Sequence, residues 1–228
     1  MAQIFSRQKI RTMHNWMQYS KHKKGTTKPQ KFQYLLALDF EATCLKDRPI
    51  DPQEIIEIPC LKISSRTFQV ESIFHSYVRP VYHPKLSNFC VELTGINQGM
   101  VDEQPDFGEV FSKFQSWMTE EKLFESSFAF VTCGDWDFKT CLTKQCEISN
   151  IPLPIWASQW INIKKSQRKV TGNFPRSMHG MLNDLGLQFQ GRHHSGIDDT
   201  KNIAIVIKEL ALRGHIFEYT SSFNSNEF

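Results

Sequence analysis

The chain reads as an α/β layered domain built on a mixed central sheet. Three observations predict this class: apolar runs of strand length, an early hairpin pattern, and amphipathic helical spacings that later alternate with strands. With 228 residues, 40% of them hydrophobic and 22% charged, the chain is long enough for one sizeable core.

Tyr34 to Phe40 opens the regular part as a short apolar run suited to a buried central strand. Ile55 to Ser64 and Val70 to Val78 follow as two strands joined by a polar turn at Ser65 and Arg66, which predicts a hairpin. Pro80 and Pro84 end that stretch, and Leu86 to Leu93 forms a short helical segment before Thr94 and Gly95. Asp106 stands as an N-cap with Glu109 three residues on, and Phe107, Val110, Phe111, Phe114, Trp117 and Met118 recur at helical spacing. Phe128 to Thr132 predicts another strand, Asp137 to Cys146 a helix, and Met178 to Leu185 a short helix stopped by Gly186. Ile203, Ala204, Ile207, Leu210 and Ala211 line a last helix that ends at Gly214.

Mean hydropathy is −0.40. The longest apolar runs fall well short of the roughly 20 residues of a membrane-spanning helix, so no membrane role is expected. Six cysteines without a C-x-x-C pair, in a chain that opens on no apolar leader, predict reduced thiols in an intracellular protein of cytoplasm or nucleus. The net charge of +3 hides an asymmetry. Residues 1–31 carry eight Lys or Arg and no acid, which leaves 19 bases against 24 acids, or −5, in the remainder. This basic arm suits nucleic acid, resembles a mitochondrial presequence in composition, and equally fits a solvated tail.

Chemistry enters where the first strand ends. Asp39 and Glu41 stand two apart, so on a strand they share a face. Asp135 and Asp137 begin a helix after the strand at Phe128, and His194 precedes Asp199 by five residues at the mouth of the last helix. Any one of these acids alone reads as a loop acid or a helix N-terminal charge. Asp39, Glu41, Asp137 and Asp199 become informative together, because strand ends and helix starts can deliver all of them to one pocket. Two like charges about 4 Å apart repel by roughly 4 kcal/mol at an effective dielectric of about 20, so such a cluster takes up protons or holds cations. All-oxygen ligands select Mg²⁺ or Mn²⁺ over zinc. Two such ions about 3.5 to 4 Å apart suit an in-line phosphoryl displacement, with a rim histidine to accept the proton of the attacking water.

At these residues the sequence resembles the DEDDh 3′-to-5′ exonucleases, an RNase H-like group. The match is Asp39-x-Glu41, Asp137 in a Trp-Asp pair, and His194 with Asp199. Within that group it is similar to the enhanced-RNAi and histone-mRNA 3′-end exoribonucleases, including Snipper-type enzymes. The strings that carry this are Asp39 to Cys44, Glu54 to Pro59, Phe89 to Ile96, Trp160 to Ile163 and Gly191 to Ala204, in the family's order across residues 32–217.

The resemblance implies an RNase H-like three-layer domain over 32–217, behind a basic arm at 1–31 and ahead of a tail at 218–228. It implies two Mg²⁺, or Mn²⁺, held by Asp39, Glu41, Asp137 and Asp199, with His194 as general base; Asp137 is preferred to Asp135 because the Trp-Asp pair matches. The 3′-terminal nucleotide would sit against Phe40, Ala42, Thr43, Leu93, Thr94, Trp136 and Phe138, with Phe40 and Phe138 more consistent with core. Lys164, Lys165, Arg168, Lys169 and Arg176 form a basic run that reads as a solvated face or a phosphate-tracking surface, and Arg192 as a phosphate contact or a partner of internal acids. The implied reaction is release of nucleoside 5′-monophosphates from RNA, with structured RNA bearing short 3′ overhangs and DNA as further substrates. Residues 1–31 are too few for the helical nucleic-acid-binding module of histone-mRNA members, and the short Thr119 to Ser127 stretch leaves no long substrate loop. Two other classes remain: a non-catalytic nucleic-acid-binding module of the same fold, and a DNA proofreading-type exonuclease.

Overall fold

A computed structural model describes residues 27–223. Residues 1–26, and with them most of the basic arm, lie outside the described residues, as do residues 224–228. Seven strands form the sheet: β1 (Tyr34–Leu38), β2 (Glu41–Ala42), β3 (Ile55–Ser64), β4 (Val70–Tyr77), β5 (Phe128–Thr132), β6 (Gln159–Asn162) and β7 (Ser221–Ser222). β3 has β4 on one side and β1, with the short β2 that follows it, on the other; β5, β6 and β7 continue in that order beyond β1. β3 runs antiparallel to β1, β2 and β4, whereas β1, β5 and β6 are parallel neighbours. The mixed sheet and the β3–β4 hairpin predicted from sequence are both present.

The seven α-helices among the described residues are α1 (Asn88–Thr94), α2 (Gln98–Val101), α3 (Phe107–Glu120), α4 (Thr143–Ile148), α5 (Ile163–Thr171), α6 (Met178–Asp184) and α7 (Gly196–Leu212). Alternation along β1 separates two cores. Leu35 and Ala37 point into a cluster with Met181, Leu182, Ile203 and Ile207 of α6 and α7, whereas Leu36 and Leu38 point into one with Phe111, Phe114 and Trp117 of α3. The result is a sheet covered on both faces. Burial of each large side chain contributes about 1.5 to 3 kcal/mol, which makes the α3 aromatic stripe a main anchor of its layer. Phe114 stacks on Trp117 at 5.6 Å and meets Phe74 of β4 edge-on at 5.1 Å.

One expectation needs correction, and one segment gains an element. The basic run at Lys164 to Lys169 lies on α5, a helix whose inward residues include Ser166 and Gln167 instead of a full apolar stripe. The helix expected from Asp137 starts as a π-helical turn, Asp137–Leu142, before α4. Residues flanking positions 31 and 217 also pack against each other and against the sheet edge. Gln30 donates to His215 O at 3.1 Å and accepts from Phe217 N at 3.0 Å. Glu218 pairs with Lys31 and Lys169, and β7 closes the sheet edge against β6.

Asp135 belongs to this edge. It accepts hydrogen bonds from Trp160 Nε1 at 3.0 Å and Ser221 Oγ at 2.5 Å, and pairs with Lys165 at 3.0 Å. Burial alone would raise its pKa, but the bonds from Ser221, Lys165 and Asn162 hold it below the ordinary value. Asp135→Ala strands the Trp160 N–H, so a loss of about 1 to 3 kcal/mol is expected, read as a drop of roughly 2 to 4 °C per kcal/mol in thermal melting.

Candidate active site

The site lies beyond the carboxyl ends of the adjacent parallel strands β1 and β5, the crevice where open α/β sheets present functional groups. β1 and β2 pair with the same side of β3, interrupted at Asp39 and Phe40; Glu41 keeps the register of β1, which shifts between Glu41 and Ala42. In that register Asp39 faces Pro59, which has no N–H to offer the ladder. The backbone therefore opens where the first carboxylate stands, and Glu41 follows on the same face.

Asp137 starts the π-turn after β5, and its Oδ1 accepts the Phe40 N–H at 2.9 Å, locking the third acid to the first motif. π-turns are rare and concentrate at functional sites. The fourth acid comes from α7. Asp199 Oδ2 accepts the backbone N–H of His194 at 2.8 Å, and His194 is held in the left-handed region at φ 61°. Its neighbour Asp198 faces away, accepting from Arg192 N at 3.0 Å and Lys201 Nζ at 2.6 Å, and so ties down the loop. Asp39, Glu41 and Asp199 each bring a carboxylate oxygen within 4.8 Å of the others.

Two residues that sequence reasoning did not single out make this convergence possible. Glu57 of β3 is buried, accepts from Gly196 N at 3.1 Å and contacts His75 Nε2 at 2.6 Å, thereby fixing the start of α7 over the sheet. Gly196 permits the approach, since a Cβ there would lie 2.8 Å from Glu57 Oε2 and 3.0 Å from the Asp39 carbonyl oxygen. A signal for Glu57 exists in the sequence: an acid inside a ten-residue, otherwise mostly apolar strand must have a partner.

Burial, reinforced by Asp137, Asp199, Glu41 and Glu57, holds Asp39 well above the ordinary carboxylate range. Burial and then Glu57, Asp199 and Asp137 push Glu41 up to about 9. Asp199 is raised to about 7 and Asp137 to about 6, burial outweighing the backbone bonds from His194 and Phe40 respectively. His194 moves the other way: burial, Arg192 and His179 lower its pKa, so its imidazole is neutral at neutral pH and able to accept a proton. Asp199 Oδ1 is buried with no hydrogen-bond partner, an orphan that a cation would satisfy. A hard divalent cation fits this all-carboxylate set.

The other expected contacts divide. The side chains of Phe40, Ala42, Thr43, Thr94 and Phe138 are buried. Phe40 and Phe138 belong to the core, Thr43 Oγ1 accepts from Glu54 N, and Thr94 Oγ1 caps α1. Leu93 is half-buried, and Trp136, 40% exposed beside Asp137, presents an aromatic ring to solvent. Among the bases, Lys164 lies near enough to Asp137 to stabilise its charge, and Arg168 is exposed. Lys165 is instead engaged by Asp135 and Ser221, and Arg192 Nη2 donates to Glu92 O at 2.5 Å, pinning the His194 loop to α1.

The family model described as Exonuclease (RNase T) matches residues 36–207. The chain belongs to the DEDDh 3′-5′ exonuclease family. Relatives of this family include the human "ERI1 exoribonuclease 3", 51% identical over 197 residues and covering 85% of this chain and 58% of that protein. The mouse "3'-5' exoribonuclease 1" is 38% identical, covering 84% and 60%. The chain thus spans about three fifths of the length of these relatives. Among solved structures, the nuclease domain of 3'hExo, a DEDDh family member bound to rAMP, superposes with a TM-score of 0.82 at 36% identity, over 86% of this chain and all of that one. A 3′-exonuclease in 3′-end-specific recognition of a histone mRNA stem-loop gives 0.75 at 36% identity, over 79% and 82%. The fold is therefore the RNase H-like one expected, and the family is divalent-metal dependent.

Gly196→Ala is expected to cost about 1 to 3 kcal/mol through overpacking and to lower activity at least tenfold, because α7 must lift Asp199 off the sheet. Thermal melting and a nuclease assay check it. The raised carboxylates make a second prediction. Protons bound in the folded state at Asp137, Asp199 and Glu41 stabilise it fully below their unfolded pKa values of about 4, and this stabilisation is lost as pH rises through about 6, 7 and 9. In chelator, Glu41→Gln should therefore melt higher than wild type at pH 9 and show little gain at pH 5, and added Mg²⁺ should raise the wild-type midpoint most at the alkaline end.

Proposed function

We propose that this chain is a metal-dependent 3′-to-5′ exoribonuclease that releases nucleoside 5′-monophosphates. The observation that carries the reading is the convergence of Asp39, Glu41, Asp137 and Asp199 from the residue after β1, β2, the π-turn and α7 beside a neutral histidine. RNA is the favoured substrate class, by analogy with the exoribonuclease relatives and with the neighbouring 3′-exonuclease that recognises a histone mRNA stem-loop. Structured RNA with a short 3′ overhang and DNA are the next candidates.

Asp39, Glu41 and Asp199 would hold two Mg²⁺ or Mn²⁺, with Asp137 completing the set. When bound, such ions supply Lewis-acid stabilisation of the attacking and leaving oxygens of an in-line displacement. The protein's own groups do the rest. His194, half-buried on its strained loop, accepts the proton of the attacking water; the Asp199 carboxylate holds that loop through the His194 N–H. Phe40 N–H keeps Asp137 turned toward Asp39. Trp136 offers a stacking face that accepts any base, worth about 1 to 3 kcal/mol, and Lys164, close enough to Asp137 to stabilise its charge, would contact a phosphate brought to the acids. A purely nucleic-acid-binding module has no use for carboxylates held this close, whose repulsion weakens the fold at neutral pH.

The test is product analysis on 5′-labelled single-stranded RNA, tailed duplex RNA and DNA with Mg²⁺ or Mn²⁺. Wild type is expected to shorten the strand stepwise and release 5′-monophosphates. Asp39→Ala should abolish release, and His194→Ala should slow it by about 10² to 10⁴. Binding without cleavage in all three proteins would favour the non-catalytic module, and cleavage confined to DNA the proofreading-type enzyme.

A further inference from the structure

The motif before α7 carries a second histidine that the reaction does not use. His193 is half-buried, lies against the His194 ring with centroids 3.9 Å apart and planes tilted by 38°, and brings a ring nitrogen within 4.8 Å of both a ring nitrogen of His194 and a carboxylate oxygen of Asp199. This donor set differs in kind from the all-carboxylate group on the other side of Asp199. Two imidazoles and one carboxylate are the ligands of open zinc sites with three protein donors, and borderline cations prefer imidazole to the oxygen cages that suit Mg²⁺.

From this juxtaposition we propose that His193, His194 and Asp199 form a binding site for a borderline transition-metal cation, Zn²⁺ foremost, whose occupation switches the nuclease off. The site is built for the task. His179 of α6 packs edge-on against His193 at 4.7 Å, and Phe189 does so at 5.5 Å, so the His193 ring is held facing His194. His179 itself is exposed, which leaves the mouth of the cluster open to solvent. Asp199 Oδ1, buried without a protein partner, faces a need that either cation can meet. Occupation engages the His194 lone pair that must otherwise accept a proton and claims an oxygen of Asp199, so inhibition needs no movement of the fold. The inhibitory consequence rests on the exonuclease reading of His194 and Asp199; the binding site itself does not.

Calorimetric titration of the metal-free full chain with ZnCl₂, in the presence of excess Mg²⁺, separates the two. Wild type and Asp39→Asn are both expected to bind one Zn²⁺, whereas His193→Ala and His193→Gln bind at least tenfold more weakly while melting as wild type does. In parallel, Zn²⁺ is expected to inhibit Mg²⁺-supported cleavage by wild type, and inhibition of the two His193 variants should need at least tenfold more Zn²⁺, with their basal cleavage unchanged. Zinc binding that survives in the His193 variants and disappears in Asp39→Asn would place the ion among the carboxylates and overturn the proposal. Absence of binding in wild type would overturn it as well. A protein that binds zinc through His193 yet cleaves nothing would support the site and sink the nuclease reading instead.

Discussion

Repulsion among buried carboxylates is the constraint around which this fold is organised. Asp39, Glu41, Asp137 and Asp199, with Glu57 behind them, are drawn from five different segments into one crevice, and burial raises the pKa of all four front acids. Left alone, such a group favours a looser structure. Hydrophobic burial on both faces of the sheet holds it together, through the α3 aromatic stripe on one side and the α6 and α7 aliphatic cluster on the other. The cluster is thus poised to release protons when a divalent cation arrives.

The supporting groups show how one short stretch can serve both stability and chemistry. Glu54, just ahead of β3, and Glu57 within it stand three residues apart, and both are buried. Glu54 accepts the backbone N–H groups of Val81, Tyr82 and His83 and so fixes a turn. Glu57 reaches the N-terminus of α7 and fixes the helix that carries Asp199. The same residue type does structural work at one position and aligns a reacting group at the other, and the difference lies in which backbone amides each one meets. Asp135 and Asp137 repeat the contrast across β5, one spent on Trp160 and Ser221 and the other turned toward Asp39.

Much of this was legible in the sequence because apolar periodicity dominates it. β1, the β3–β4 hairpin, β5, α3 and α7 all announce themselves through runs or spacings of large apolar residues, and the four acids and His194 stand at their ends. What was hidden lacks that signal. β2 and β7 are two residues each and exist only through tertiary pairing. α5 buries Ser166 and Gln167 where a pattern reader looks for Leu, so apolar spacing does not reveal the helix under its basic residues. Glu57 and Gly196 matter through contacts 139 residues apart in the chain, which no local pattern records. Lys165 and Arg192 fitted either phosphate contacts or a solvated or internal role, and the fold engages them with Asp135 and with the end of α1, pairings that no local pattern records.

The central claim is that the crevice holds protons in place of cations until metal binds. Calorimetric titration of the metal-free protein with Mn²⁺ at pH 7, repeated in buffers of different ionisation enthalpy, counts the protons set free. The account predicts release of at least one proton per protein and binding that tightens as pH rises from 6 toward 9, the range of the raised carboxylates. Tight binding with no proton release and no dependence on pH would contradict it.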